Sequence, residues 1–381
     1  MAPVPERGAP LPVTGAWRPG DEPGRRQFAI VGGELPLEAG DSLPSLTVAY
    51  ETWGTLAPDG ANAVLVLHAL TGDSHAAGPA APGHRHPGWW DGMIGPGAPI
   101  DTDRFFVVCP NVLGGCQGTT GPASLAPDGA PFGSRFGRIT IRDQVAAEVA
   151  LADALGLPAW YAVVGGSMGG MRVLEWAVGE PARVERAIVI SVGAQASAEQ
   201  IALCHVQIRA IRADPRFRGG DYYDAGPGEG PHVGLEIARE IGQITYRSEL
   251  ELHERFARGH QGDEDPFDGG RYAVQSYLEY QGEKLVRRFD ANTYVVLSEA
   301  MNHHDVGRGR GGIERALSVV TADVTIAGMS SDRLYPLRLQ QELALLLPTA
   351  QGLQVVETIH GHDGFLVEAD AVGRIIRRAL G

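Results

Sequence analysis

Cysteine is scarce in this chain: Cys109, Cys116 and Cys204 are the only three in 381 residues. They cannot make a paired disulfide framework, and none has the spacing of a metal-ligand motif. Positive charge is also short. Against 46 acidic residues stand 32 lysines and arginines, a formal net charge of -14, which works against nucleic-acid or anionic-membrane partners. The segment Arg308-Gly309-Arg310-Gly311-Gly312 has the look of an RNA-binding tract but occurs once, beside His303-His304-Asp305, and reads as a structured loop. No run of about 18 apolar residues offers a membrane helix, and no basic stretch leads into an apolar secretory core. These absences point to a cytoplasmic protein with reduced thiols, no metal, no nucleic acid and no membrane.

What is present suits a soluble α/β enzyme. Hydrophobic residues make up 44%, and short apolar runs alternate with helical segments, enough for one large core. Residues 1–26 are rich in proline and glycine and read as a flexible N-terminal arm. Strands are expected at 28–31, 46–50, 63–68, 105–109, 161–164 and 187–191, with a helix over 141–155. After Ser191 the texture changes to charged helical segments and returns to strand-like runs at Val319. A core over 27–191 and 318–381 with a helical lid insertion over 192–317 is the economical reading.

The most informative segment is Gly165-Gly166-Ser167-Met168-Gly169-Gly170, an apolar run followed by Gly-x-Ser-x-Gly and then a helix-forming stretch. Glycine neighbours permit a sharp strand-to-helix bend that presents the Ser167 hydroxyl as a nucleophile. A serine needs a base and an orienting acid. Asp332 follows the apolar run Val324 to Gly328 in a turn, and His360 and His362 follow the run Leu353 to Ile359. The flanking Gly361 and Gly364 suit a tight loop and favour His362 as the base. An oxyanion hole would draw on the Met168 N–H and on the Leu70 N–H, in the loop after the run Ala63 to Leu67, with Thr71 beside it as a hydroxyl contact. His68, at the strand end, reads as structural.

With these residues in place, the chain resembles the homoserine O-acetyltransferases of the α/β-hydrolase superfamily. The resemblance lies in His68 to Gly72, Asn111 to Pro122, Ile139 to Asp143, Gly165 to Gly170, His304 to Gly309 and Gly361 to Leu366. It implies the α/β-hydrolase fold, with a mostly parallel sheet and a helical lid, and a Ser167, Asp332, His362 triad. It also implies an acetyl group carried on serine from acetyl-CoA to L-homoserine in methionine biosynthesis, with no permanently bound cofactor and a homodimer joined through the lid helices. For the zwitterionic acceptor, Asp363 is expected at the amine and Arg239 at the carboxylate, with Tyr246 and Arg247 close behind, because unpaired charges are costly to desolvate. Close alternatives are homoserine O-succinyltransferase or serine O-acyltransferase, a plain serine esterase, or a binding module on the same skeleton.

Overall fold

The computed structural model describes residues 10–381. Eight strands form the central sheet: β1 (Gln27–Val31), β2 (Leu46–Trp53), β3 (Ala63–Leu67), β4 (Phe106–Pro110), β5 (Ala162–Gly166), β6 (Arg186–Ile190), β7 (Asp323–Met329) and β8 (Leu353–Val356). Their spatial order is β1-β2-β4-β3-β5-β6-β7-β8. β1 and β2 pair antiparallel, as do β2 and β4, and every other neighbour is parallel. Parallel strands need crossover helices, which cover both faces. This is why β3 and β5 read Ala-Val-Leu-Val-Leu and Ala-Val-Val-Gly-Gly and are buried at every position.

The alternation of side chains sends Leu65, Val163 and Val189 to one apolar layer and Val66, Val164 and Ile188 to the other. Helices α1 (Ile141–Ala154) and α2 (Met168–Gly179) pack in the first. A capping box starts α1: Thr140 accepts from the Asp143 N–H while the Asp143 carboxylate takes the Thr140 N–H. Between these two helices Glu148 is buried and fully engaged. It takes Arg172 Nη1 at 2.6 Å and the Trp176 indole N–H at 2.7 Å. The other end of the Arg172 guanidinium donates to the carbonyl of His68, so one buried cation ties the nucleophile's helix to the loop after β3.

Between β6 and β7 the ordered elements are helices: α3 (Ala198–Ala213), α4 (His232–Tyr246), α5 (Glu249–Phe256), α6 (Ala273–Val286), α7 (Ala291–Asn302) and α8 (Ile313–Leu317). This is the stretch read from the sequence as a lid, and no named strand falls in it among the described residues. After β7 come α9 (Leu337–Leu346) and, past β8, α10 (Gly364–Val367) and α11 (Ala369–Leu380). Two short ribbons, 35–36 with 42–43 and 94–95 with 100–101, carry no strand-length apolar run and went unforeseen.

One expectation needs correction. Residues 10–26 are not loose. The Gly15 N–H donates to Phe289 O at 3.0 Å, the Trp17 N–H to Cys116 O at 2.9 Å, and the buried Thr14 hydroxyl to Asp290 at 2.7 Å. Proline and glycine here mark an extended strap whose backbone groups are satisfied by the body of the protein. The part of that expectation on residues 1–9 lies outside the described residues.

Candidate active site

Ser167 stands at the end of β5 and start of α2 with φ 57° and ψ -125°, in the left-handed region that a non-glycine residue rarely adopts. Two backbone hydrogen bonds fix it: its N–H donates to Ile190 O at 3.0 Å, and its carbonyl accepts from Met171 at 3.0 Å. The glycines are required by crowding. A Cβ at Gly169 would lie 2.1 Å from Leu67 O, and one at Gly165 2.7 Å from the Gly169 carbonyl carbon. The helix can therefore sit on β3 and β5 only without those methyl groups.

Asp332 follows β7 in the turn before α9. Its Oδ1 accepts from the N–H groups of Leu334 at 2.9 Å and Tyr335 at 2.8 Å, which orients Oδ2 at 2.7 Å from His362 Nδ1. His362 lies on a one-turn 3-10 segment, Gly361–Asp363, after β8. Its ring is stacked on Tyr335 at 5.0 Å and meets Phe365 edge-on at 5.5 Å. Gly361, at φ +65°, allows this turn to press against α4, since a Cβ there would lie 2.6 Å from Tyr246 O. Burial works to lower the His362 pKa, but the charge and hydrogen bond of Asp332, with help from Asp363, outweigh it and hold the imidazole above its ordinary value. Its Nε2 is buried without a partner among the described residues. No hydrogen bond joins it to Ser167, a contact that in unliganded sites often tightens only with substrate.

His360 is elsewhere. It faces Glu251 at 3.7 Å and Glu368 at 3.8 Å and is partly exposed. Geometry thus separates two histidines that the sequence set two residues apart. His68 is a structural group: Val112 N–H donates to its Nε2 at 3.1 Å and its Nδ1 lies 2.8 Å from Ala69 O. Burial, then the Arg172 charge, push its pKa down to about 3, so it stays neutral and props the loop that carries Leu70.

The Leu70 and Met168 N–H groups, expected as the oxyanion hole, make no backbone hydrogen bond among the described residues. Leu70 and Ser167 share a small cavity of about 40 Å³, with Met171, Cys204, Tyr246 and Tyr335 among its walls. No charged side chain lines it. Tyr246 and Tyr335 both flank the His362 ring as well, so the cavity and the imidazole share two walls. Tyr335, only three positions beyond Asp332, was missed from the sequence; its place in the acid's own turn was the available signal.

Arg239, on α4, reaches the same region. Its Nη1 lies 3.5 Å from Thr71 Oγ1, its guanidinium sits 5.5 Å from the centre of the Tyr246 ring, and its buried Nε has no partner. Among the described residues no carboxylate comes within ion-pair distance of it, whereas Arg247 is taken by two, Glu251 at 2.9 Å and Asp363 at 3.1 Å. Arg247, ranked close behind Arg239 from the sequence, is therefore already neutralised. The Asp363 carboxyl is raised by burial, with Arg247 and Arg239 pulling it back.

One group among the described residues has metal-ligand composition: Glu51, His75 and His84, all buried. Its lone pairs are in use. His84 Nε2 accepts the Arg25 N–H at 2.9 Å, His75 Nδ1 is 3.0 Å from Glu51, and the two imidazoles stack at 3.9 Å. The trio fastens the N-terminal strap to β2.

Comparison with known proteins agrees with this fold. A family described as "alpha/beta hydrolase fold" matches residues 62–369. The homoserine O-acetyltransferase of Thermobifida fusca is 59% identical over 371 residues, 97% of this chain and 98% of that one. Among solved structures, homoserine O-acetyltransferase from Bacillus anthracis superposes with a TM-score of 0.85 at 28% identity, covering 93% of this chain and 97% of that one. Esterase E22 superposes nearly as well, TM-score 0.82 at 28% identity, covering 93% and 100%. The fold alone therefore does not distinguish acyl transfer to an alcohol from transfer to water.

Proposed function

The chain belongs to the homoserine O-acetyltransferases, within the α/β-hydrolase fold, and from that premise we propose the roles of its residues in moving an acetyl group from acetyl-CoA to the hydroxyl of L-homoserine. His362 Nε2 takes the proton as Ser167 Oγ attacks the thioester carbonyl, and the Leu70 and Met168 N–H groups hold the oxyanion. On collapse the thiolate leaves with the proton from His362, and an acetyl-serine remains. The homoserine hydroxyl then attacks this ester, giving its proton to His362, and Ser167 departs by recovering it. The observation that carries the assignment is the buried Asp332–His362 pair at 2.7 Å, with its second imidazole nitrogen unpartnered.

Retaining the acetyl group for an alcohol is the harder task, since water is present at about 55 M and must be beaten by closure or by high effective molarity. The cap supplies the holding groups. Arg239, a cation without an acidic partner, takes the acceptor's carboxylate with Thr71 beside it. Asp363, with one oxygen on Arg247, offers the other to the amine. Tyr246 walls the site and orders Arg239 over its ring. The small cavity beside Ser167, about 40 Å³, favours an acetyl over the bulkier succinyl group.

A cytoplasmic location is supported by acetyl-CoA as donor and by three unpaired cysteines. A homodimer through the cap is supported by the apolar residues it exposes, Ile201 and Val206 on α3 with Val233, Ile237 and Ile244 on α4. No helix among the described residues is long and apolar enough to cross a membrane. Release of free thiol from acetyl-CoA, followed with and without homoserine, tests the assignment. Strong stimulation by homoserine, with O-acetylhomoserine as product, is expected; an equal rate with water alone contradicts it.

A further inference from the structure

Arg172 is fully buried, and no step of the proposed reaction uses it. It stands one turn along α2 from Met168, whose N–H is an oxyanion donor in that reaction. Its guanidinium bridges two elements: Nη1 holds Glu148 on α1 at 2.6 Å, and Nη2 donates to the carbonyl of His68, just past the end of β3. The Nε is buried without a partner among the described residues. As a source of stability this arrangement is poor, because a buried ion pair must offset the desolvation of both charges, and well-packed apolar side chains of similar volume often do as well or better. What an apolar pair cannot do is hold a carbonyl in one direction.

That carbonyl begins a short series of fixed peptides. Arg172 sets the His68 carbonyl, and the next one, Ala69 O, accepts from the Gly72 N–H at 2.9 Å and lies 2.8 Å from His68 Nδ1. Because His68 Nε2 accepts the Val112 N–H at 3.1 Å, the proton of the neutral ring sits on Nδ1 and is donated to Ala69 O. A trans peptide is planar with its N–H opposite its C=O, so fixing the Ala69 carbonyl fixes the direction of the Leu70 N–H. Donation to that carbonyl also polarises the same peptide and strengthens its N–H as a donor. Helix and loop touch at this point: a Cβ on Gly169 would fall 2.1 Å from Leu67 O and 3.2 Å from His68 O.

We propose that Arg172 is a positioning residue for the oxyanion hole: by grasping the His68 carbonyl from the nucleophile's own helix, it sets the Leu70 and Met168 N–H groups at the mutual placement a tetrahedral intermediate requires. Glu148 neutralises the guanidinium and is itself held by the Trp176 indole on its other oxygen at 2.7 Å. This role rests on Leu70 and Met168 being the oxyanion donors. One buried cation then serves both half-reactions, since acylation and deacylation of Ser167 pass through the same hole.

The test uses two donors, acetyl-CoA and its dithioester analogue, in which sulfur replaces the carbonyl oxygen. Sulfur is larger and a weaker acceptor, so an aligned hole favours the oxygen compound. Intrinsic differences between the donors cancel when their kcat/KM ratio is compared between wild type and variant. Glu148→Gln/Arg172→Met removes both charges, keeps the volume and leaves an acceptor for the Trp176 indole; Arg172→Lys keeps a cation opposite Glu148 but lacks the second arm of the fork. Both fold with the wild-type circular dichroism and KM for homoserine, and in both the oxygen-over-sulfur ratio falls at least tenfold, with acylation and deacylation slowed together. A ratio that stays at the wild-type value in either folded variant, whether or not turnover drops, leaves Arg172 with packing alone and overturns the assignment. A wild-type enzyme that prefers oxygen no more than hydroxylamine does in solution strikes instead at the oxyanion hole on which the role rests.

Discussion

The two walls of the site are built on different principles. The sheet wall, with Ser167, Asp332 and His362, hangs on strand ends, and each side chain is fixed by backbone hydrogen bonds, glycine contacts or ring packing. The cap wall, with Arg239 and Tyr246 on α4, reaches in with long side chains held by one weak hydrogen bond and a ring contact. In the proposed reaction the first holds the atoms that make and break bonds, where a displacement of an ångström is costly. The second holds charge complementarity, which tolerates movement. On the proposed reading the sheet wall serves either chemistry and the cap decides what may accept the acyl group, in keeping with the likeness to both an acetyltransferase and an esterase.

Breaking the sheet wall should therefore cost turnover, and breaking the cap wall should cost acceptor binding. Ser167→Ala is expected to reduce kcat by about 10⁴-fold or more. A loss under tenfold in a steady-state assay contradicts the nucleophile assignment. Asp332→Asn follows at about 10³–10⁴-fold, and it carries a second signature. His362 must be neutral to act as base, so kcat/KM falls as pH drops through its raised pKa; removing the Asp332 charge lowers that pKa and moves the acidic limb to lower pH. An acidic limb that stays in place in the variant would detach it from this pair.

On the cap wall, Arg239→Ala should raise KM for homoserine about 10- to 100-fold and leave hydrolysis of acetyl-CoA in the absence of homoserine intact. Equal loss of both reactions would return Arg239 to the sheet wall's chemistry. A smaller effect concerns stability alone. His68, pushed down to about 3, and His304, pushed down to about 4, are neutral in the fold, while in the unfolded chain they titrate near 6.5. Below about pH 6.5 the unfolded state binds protons that the folded state refuses, so their contribution is full above that pH and is lost progressively beneath it. The urea midpoint should fall between pH 7 and 5, and less so in His68→Gln; an identical fall in both would exclude His68 as a source.

The same contrast explains what the sequence could reveal. The strands were legible because each is a short apolar run with both faces covered, as in Ala63–Leu67. The proposed triad was sought where such runs end, and the structure sets two of its members, Asp332 and His362, 2.7 Å apart there. Choosing His362 over His360 from the flanking glycines agrees with the packing, since Gly361 is what lets the turn dock on α4. The cap was harder. Glu251, four positions after Arg247, is a local partner, but nothing local says that Asp363, in a loop more than a hundred residues away, takes Arg247 as well while Arg239 has no carboxylate. The buried Arg172–Glu148 pair and the ordered strap over 10–26 were hidden for the same reason, each depending on partners remote in sequence.

The most direct test is to expose the protein to acetyl-CoA without homoserine, quench it, and map acylation by peptide mass spectrometry. The account predicts one acetyl group on the peptide that carries Ser167, discharged when homoserine is added and absent from Ser167→Ala. An adduct on another residue that homoserine discharges, or O-acetylhomoserine formed at the normal rate with no acyl-enzyme in wild type, would contradict it.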